Sequence, residues 1–85
     1  MEIVYLPKAD EDLDYWIKSG NKAVLKKIAQ LTEAIISNPY SGIGKPEELK
    51  YQLTGKWSRR ITDEHRYVYQ IEDDVLKVYS LKGHY

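Results

Sequence analysis

The titratable residues that a sheet or a loop could bring together in this sequence are Glu47 or Glu48, Lys50, Arg59, Arg60, His65, Arg66 and His84. Those types suit cleavage of RNA, because the ribose 2′-hydroxyl is a built-in nucleophile beside the scissile phosphate. A carboxylate can take the hydroxyl proton, guanidinium groups can stabilise the charge growing on the non-bridging oxygens, and an imidazole can protonate the departing 5′-oxygen. Other chemistries fit less well. There is no cysteine, and neither histidine belongs to a recognisable ligand pair, so a zinc site is not expected. No serine stands in a nucleophile-elbow context. Gly42-Ile43-Gly44-Lys45 resembles a phosphate-cradling loop only superficially, since the P-loop spacing and its following helix are absent.

The densest stretch runs from Trp57 to Tyr69, with His84-Tyr85 as its distant partner. Together these positions hold three arginines, both histidines and four of the ten aromatic rings, a profile that suits a polyanion with flat bases. Each candidate also has an ordinary reading. Arg59 and Arg60 alternate across a strand, so one can snorkel over tyrosines while the other is solvated. His65, beside a turn and opposite Arg66, suits a structural hydrogen bond. His84 stands next to the last residue, where chains usually fray.

Thirteen basic and thirteen acidic residues cancel, so net charge does not identify a nucleic-acid binder. Their distribution says more. Lys45, Lys50, Lys56, Arg59, Arg60 and Arg66 outnumber the acidic residues between positions 45 and 66, and a local positive field can guide a phosphate backbone at zero net charge. Asp10, Glu11, Asp12 and Asp14 crowd a first helix, where carboxylates favour the positive end of the dipole rather than catalysis.

The elements that must position these residues follow from periodicity. Glu2-Ile3-Val4-Tyr5 reads as a strand, and Pro7 fits the first turn of a helix whose buried face is Ala9, Leu13, Trp16 and Ile17. Ser19-Gly20-Asn21 breaks that helix. Asn21 caps a second, with Val24, Ile28, Leu31 and Ile35 as its stripe, widened by Leu25 and Ile36, and Asn38-Pro39 stops it. Residues 39–48 form a loop, and Leu49 to Leu53 reads as a strand. From Trp57 the alternation sends Trp57, Arg59 and Ile61 one way and Ser58, Arg60 and Thr62 the other. Turns at Thr62-Asp63-Glu64 and Glu72-Asp73-Asp74 then divide the remainder into an antiparallel meander ending with Val75 to Leu81. The expected class is α+β in the order β-α-α-β-β-β(-β), two helices packed on a twisted antiparallel sheet.

With 85 residues and no linker-like run, residues 1–85 read as one small, thin-cored domain. No stretch approaches the ~20 apolar residues that span a bilayer. The start is not that of a signal peptide, so a cytoplasmic protein is the expectation.

The chain resembles the YoeB/Txe toxins of bacterial toxin–antitoxin systems, within the RelE-like superfamily. The likeness rests on Gly42-Ile43-Gly44-Lys45-Pro46-Glu47, on Trp57-Ser58-Arg59-Arg60-Ile61 with Glu64-His65-Arg66-Tyr67-Val68-Tyr69, and on Gly83-His84-Tyr85, with Tyr15-Trp16 agreeing. It implies a metal-independent endonuclease, without cofactor, that enters the ribosomal A site and cuts mRNA. By motif position Glu47 would be the general base, His84 the general acid and Arg66 the group stabilising the pentacovalent phosphate. Lys50 and Arg60 would contact phosphate, and Tyr85 would help position the substrate. Glu48 directly after Glu47 is a departure that leaves open which carboxylate is the base. Lys82 stands where some relatives have arginine, a point charge in place of a planar fork. The resemblance further implies a YefM/Phd-type antitoxin, with operator DNA reached only through it, since neither helix carries a basic recognition face. The free state is left open between monomer and homodimer. A non-catalytic RNA- or peptide-binding module is the competing reading, and Glu47 argues against it, because an anion-binding groove gains nothing from a central carboxylate.

Overall fold

The computed structural model describes residues 1–84. Strand β1 (Glu2–Tyr5) leads into helix α1 (Pro7–Ser19) and helix α2 (Lys22–Ser37), followed by β2 (Glu47–Glu48), a 3-10 turn (Tyr51–Leu53), β3 (Trp57–Arg60), β4 (Arg66–Glu72) and β5 (Val75–Ser80). The local signals act as expected. Pro7 opens α1, Gly20 closes it in the left-handed conformation, and the Asn21 side chain accepts from the Val24 amide at 3.1 Å to begin α2.

The sheet has the order β1-β5-β4-β3-β2. Strands β2 to β5 pair antiparallel, whereas β1 lies parallel to β5, so the sheet is mixed. The two helices separating β1 from the rest permit this, because a parallel neighbour needs a long crossover. One sheet face carries the core: Tyr67, Tyr69, Leu76 and Val78 meet Ala9, Trp16, Val24, Ile28, Leu31 and Ile35 from the helices. The Thr32 and Tyr67 hydroxyls, 2.8 Å apart, bond α2 to β4 beneath that layer.

Beyond the parallel β1, and the short strand β2 at the end of the loop read over residues 39–48, three expectations change. The strand read over Leu49 to Leu53 is a 3-10 turn, because Tyr51 takes φ +59° and the Leu53 amide bonds back to the Lys50 carbonyl. Ile17 is exposed, and so is Ile36. At about 100° per residue, the face of α1 centred on Ala9 and Trp16 takes in Asp12 and turns Ile17 roughly a quarter-turn away. Asp12 is accordingly buried rather than part of a solvated acidic end. Its Oδ2 accepts from Lys8 Nζ at 2.7 Å and from the Leu81 amide at 3.0 Å.

Candidate active site

The sheet face turned away from the helices is where register gathers the predicted residues. Glu47 pairs with Ser58, Ser58 with Val68, and Arg60 with Arg66, so Glu47, Arg60 and Arg66 share one face. Ser58 and Val68 are buried between them and form a floor with no long side chain to fill it. Glu48 pairs with Trp57, which places it on the opposite face. The two adjacent carboxylates are therefore not equivalent, and only Glu47 stands with the arginines.

Arg66 is tethered at one end. Its Nη1 donates to the carbonyls of Thr62 and Asp63 at 2.9 and 3.0 Å, across the turn that joins β3 to β4. Among the described residues, its Nε and Nη2 have no hydrogen-bond partner, which leaves donors for an anion. Arg60 is exposed, and its amide is held by the Gly44 carbonyl at 2.7 Å.

His84 follows a segment built into the fold rather than a fraying end. The Leu81 amide donates to Asp12, the Leu81 carbonyl accepts from Trp16 Nε1 at 3.0 Å, and the Lys82 carbonyl accepts from Lys8 Nζ at 3.0 Å. The Gly83 amide donates to His65 Nδ1 at 2.9 Å, while the Gly83 carbonyl accepts from the Arg66 amide at 3.0 Å. The tail thus runs beside β4, on the side away from β3, and delivers exposed His84 next to Arg66. From β2 to the tail is three strand spacings, about 14 Å. Glu47 stands at one margin, the tail at the other, and the two arginines between.

Lys50 lies beyond β2, in a groove of about 450 Å³ lined by residues 47–53. Tyr85 lies outside the described residues. Tyr51, on the same groove, exposes 90% of its surface. Lys56 counted in the basic cluster of the sequence but not among the expected site residues. It has the same strand parity as Ser58 and Arg60, and its ammonium sits 4.4 Å from the centre of the Tyr79 ring. That parity was the available signal.

Arg59 proves to be framework. It is fully buried and donates to the carbonyls of Asn38, Ser41 and Ile43 at 2.6, 2.9 and 3.2 Å and to the Tyr69 hydroxyl at 3.2 Å. The loop that looked faintly like a phosphate cradle wraps a guanidinium instead. Gly44, with φ +82°, brings it close: a Cβ there would lie 2.8 Å from Leu31 Cδ2. Burial raises the Tyr69 phenol above its ordinary pKa, with Arg59 opposing that shift.

With this geometry in view, residues 5–85 match the family model described as the YoeB-like toxin of bacterial type II toxin–antitoxin systems. This chain belongs to the YoeB toxin family. It is 41% identical to toxin YoeB of Escherichia coli strain K12 over the full length of both chains. Among solved structures it is similar to a YoeB/ParE toxin from Agrobacterium tumefaciens, with a TM-score of 0.96 and 36% identity over all of both chains. The toxin of a Staphylococcus aureus YoeB–YefM complex gives a TM-score of 0.90 and 46% identity, covering 100% of this chain and 98% of that one. The YoeB fold, two helices on a five-stranded sheet, is the one described above.

Proposed function

We propose that this YoeB-family chain is a ribosome-dependent mRNA endonuclease that cuts A-site mRNA by attack of a 2′-hydroxyl on the adjacent phosphate. The observation that carries the reading is the position of Glu47 and of the tail bearing His84 on either side of Arg60 and Arg66. In-line displacement puts the entering 2′-oxygen and the leaving 5′-oxygen on opposite sides of phosphorus, so base and acid must approach from opposite sides. Glu47 takes the 2′-hydroxyl proton. Arg66, with Arg60, balances the charge on the pentacovalent phosphate, and His84 protonates the 5′-oxygen. Lys50 contacts the phosphate backbone beyond the cut, and Tyr85 positions the substrate. The products are a 2′,3′-cyclic phosphate or the 3′-phosphate derived from it, and a 5′-hydroxyl.

Glu47 is exposed on a two-residue edge strand. Docking on the ribosome supplies what the free protein lacks, orienting the mRNA and removing water from the carboxylate. The setting is accordingly the cytoplasm. The neutralising partner is a YefM-type antitoxin, as in the S. aureus complex, whose disordered acidic-hydrophobic tail folds over the site. A homodimer is a further assembly state, as in the solved YoeB dimer from S. aureus.

Incubation with translating ribosomes followed by mapping of mRNA ends tests the reading. Glu47→Ala, Arg66→Ala and His84→Ala should each lower cleavage about 10²-fold or more while leaving the fold intact. Glu48→Gln should stay within about threefold of wild type. A 2′-deoxy nucleotide at the cut should stop the reaction, and cleavage that continues there would exclude internal attack. Loss of activity in Glu48→Gln but not in Glu47→Gln would reassign the base.

A further inference from the structure

We propose that His65 is a positioning residue for the C-terminal tail, acting through Gly83 to set His84 beside Arg66. The inference deepens the endonuclease reading and rests on it for its catalytic consequence. The latch itself stands on the contacts.

Gly83 N–H donates to His65 Nδ1 at 2.9 Å, so that nitrogen presents its lone pair and the ring proton sits on Nε2. The imidazole is held edge-to-face on Trp16, with centroids 4.9 Å apart and planes at 80°. Trp16 in turn grips the same tail through Leu81. The neighbouring Arg66 amide donates to the Gly83 carbonyl, so the last residue before β4 and the first residue of β4 clasp both polar groups of one glycine. Gly83 has φ +83°, a left-handed turn that redirects the chain just before His84. Without the His65 acceptor, one hinge amide is loose and the residue after it loses its fixed direction. A proton donor that must lie within hydrogen-bond reach of a leaving oxygen tolerates little such freedom.

The test pairs a variant that keeps the ring with one that keeps the acceptor. His65→Phe retains the contact with Trp16 and removes the lone pair. His65→Asn gives up the ring but places an amide oxygen near the Nδ1 position. On programmed ribosomes His65→Phe should lower kcat about tenfold with KM unchanged, the size expected for one lost hydrogen bond of this kind, and His65→Asn should recover most of it. In the wild-type protein, nuclear magnetic resonance should show a through-bond coupling from the Gly83 amide to Nδ1 and slow exchange of that amide proton. His65→Phe should abolish both. Wild-type kcat in His65→Phe, or equal loss in both variants, would overturn the positioning role. Absence of the coupling in the wild-type protein would overturn the latch, even if neither variant folds. A wild-type protein that shows the coupling but leaves ribosome-bound mRNA intact would instead overturn the endonuclease reading.

Discussion

Two adjacent arginines on β3 show how much a single step along a strand decides. Alternation alone required Arg59 and Arg60 to face opposite sides, and that part was legible in the sequence. Which of them was framework was not, because the answer depends on the carbonyls of Asn38, Ser41 and Ile43, some twenty residues earlier, converging on one guanidinium. The same register separates Glu47 from Glu48, a distinction that composition could not make. Arg59→Met would strip those carbonyls of a charged donor inside a loop that packs around it, and its cost should be about 1–3 kcal/mol in urea unfolding. Arg59→Lys keeps the charge but loses the planar fork, and should fall between that variant and wild type. Arg60→Met, on the exposed side, should change stability by about 0.5 kcal/mol or less while weakening cleavage. Equal destabilisation by the two methionine variants would contradict the division of labour between framework and site.

Elements built from local signals were read well: both helices, the Asn21 cap, the turns at residues 62–64 and 72–74, and strands β1, β3, β4 and β5 all lie where periodicity put them. Elements defined by distant contacts were not. Residues 49–53 alternate in apolar character over too short a run to distinguish a strand from a 3-10 turn, and the left-handed Tyr51 decides the matter. The tail was indistinguishable from a fraying end, because its anchors Asp12, Trp16 and His65 lie far from it in sequence. The joint between α2 and β4 yields a prediction about alkaline stability. Burial pushes the Tyr67 phenol well above its ordinary value of 10.0. The folded state therefore favours the neutral ring. Its contribution is complete below the unfolded value near 10 and is lost as pH rises from there toward the higher folded value. Ultraviolet titration should show this tyrosine ionising only as the protein unfolds, and Tyr67→Phe should flatten the decline in stability above about pH 10. A Tyr67 that titrates normally in the folded protein would contradict the burial argument.

For the molecule as a whole, zero net charge does not mean an even surface. Asp10, Glu11 and Asp14 are exposed on α1, while Lys56, Arg60 and Arg66 lie on the sheet face across the core. Physiological salt screens exposed charges beyond ~8 Å, so the acidic helix does little to cancel the field over the basic face. Binding of RNA should then depend on salt as it would for a basic protein. If the face engages about three phosphates of a single strand, the logarithm of the association constant should fall with the logarithm of salt concentration with a slope of roughly −2. The probe is a short RNA with a 2′-deoxy nucleotide at the cut, titrated by fluorescence anisotropy at several salt concentrations. Arg60→Gln should make the slope shallower by about 0.7, one phosphate's share. Neutralising Asp10 and Glu11 together should leave it unchanged, because counterions are released from the face that touches RNA and not from the far side. A slope near zero in the wild-type protein, or one that responds to the helix residues and not to Arg60, would move the RNA off the sheet face and with it the phosphate from between Glu47 and the tail.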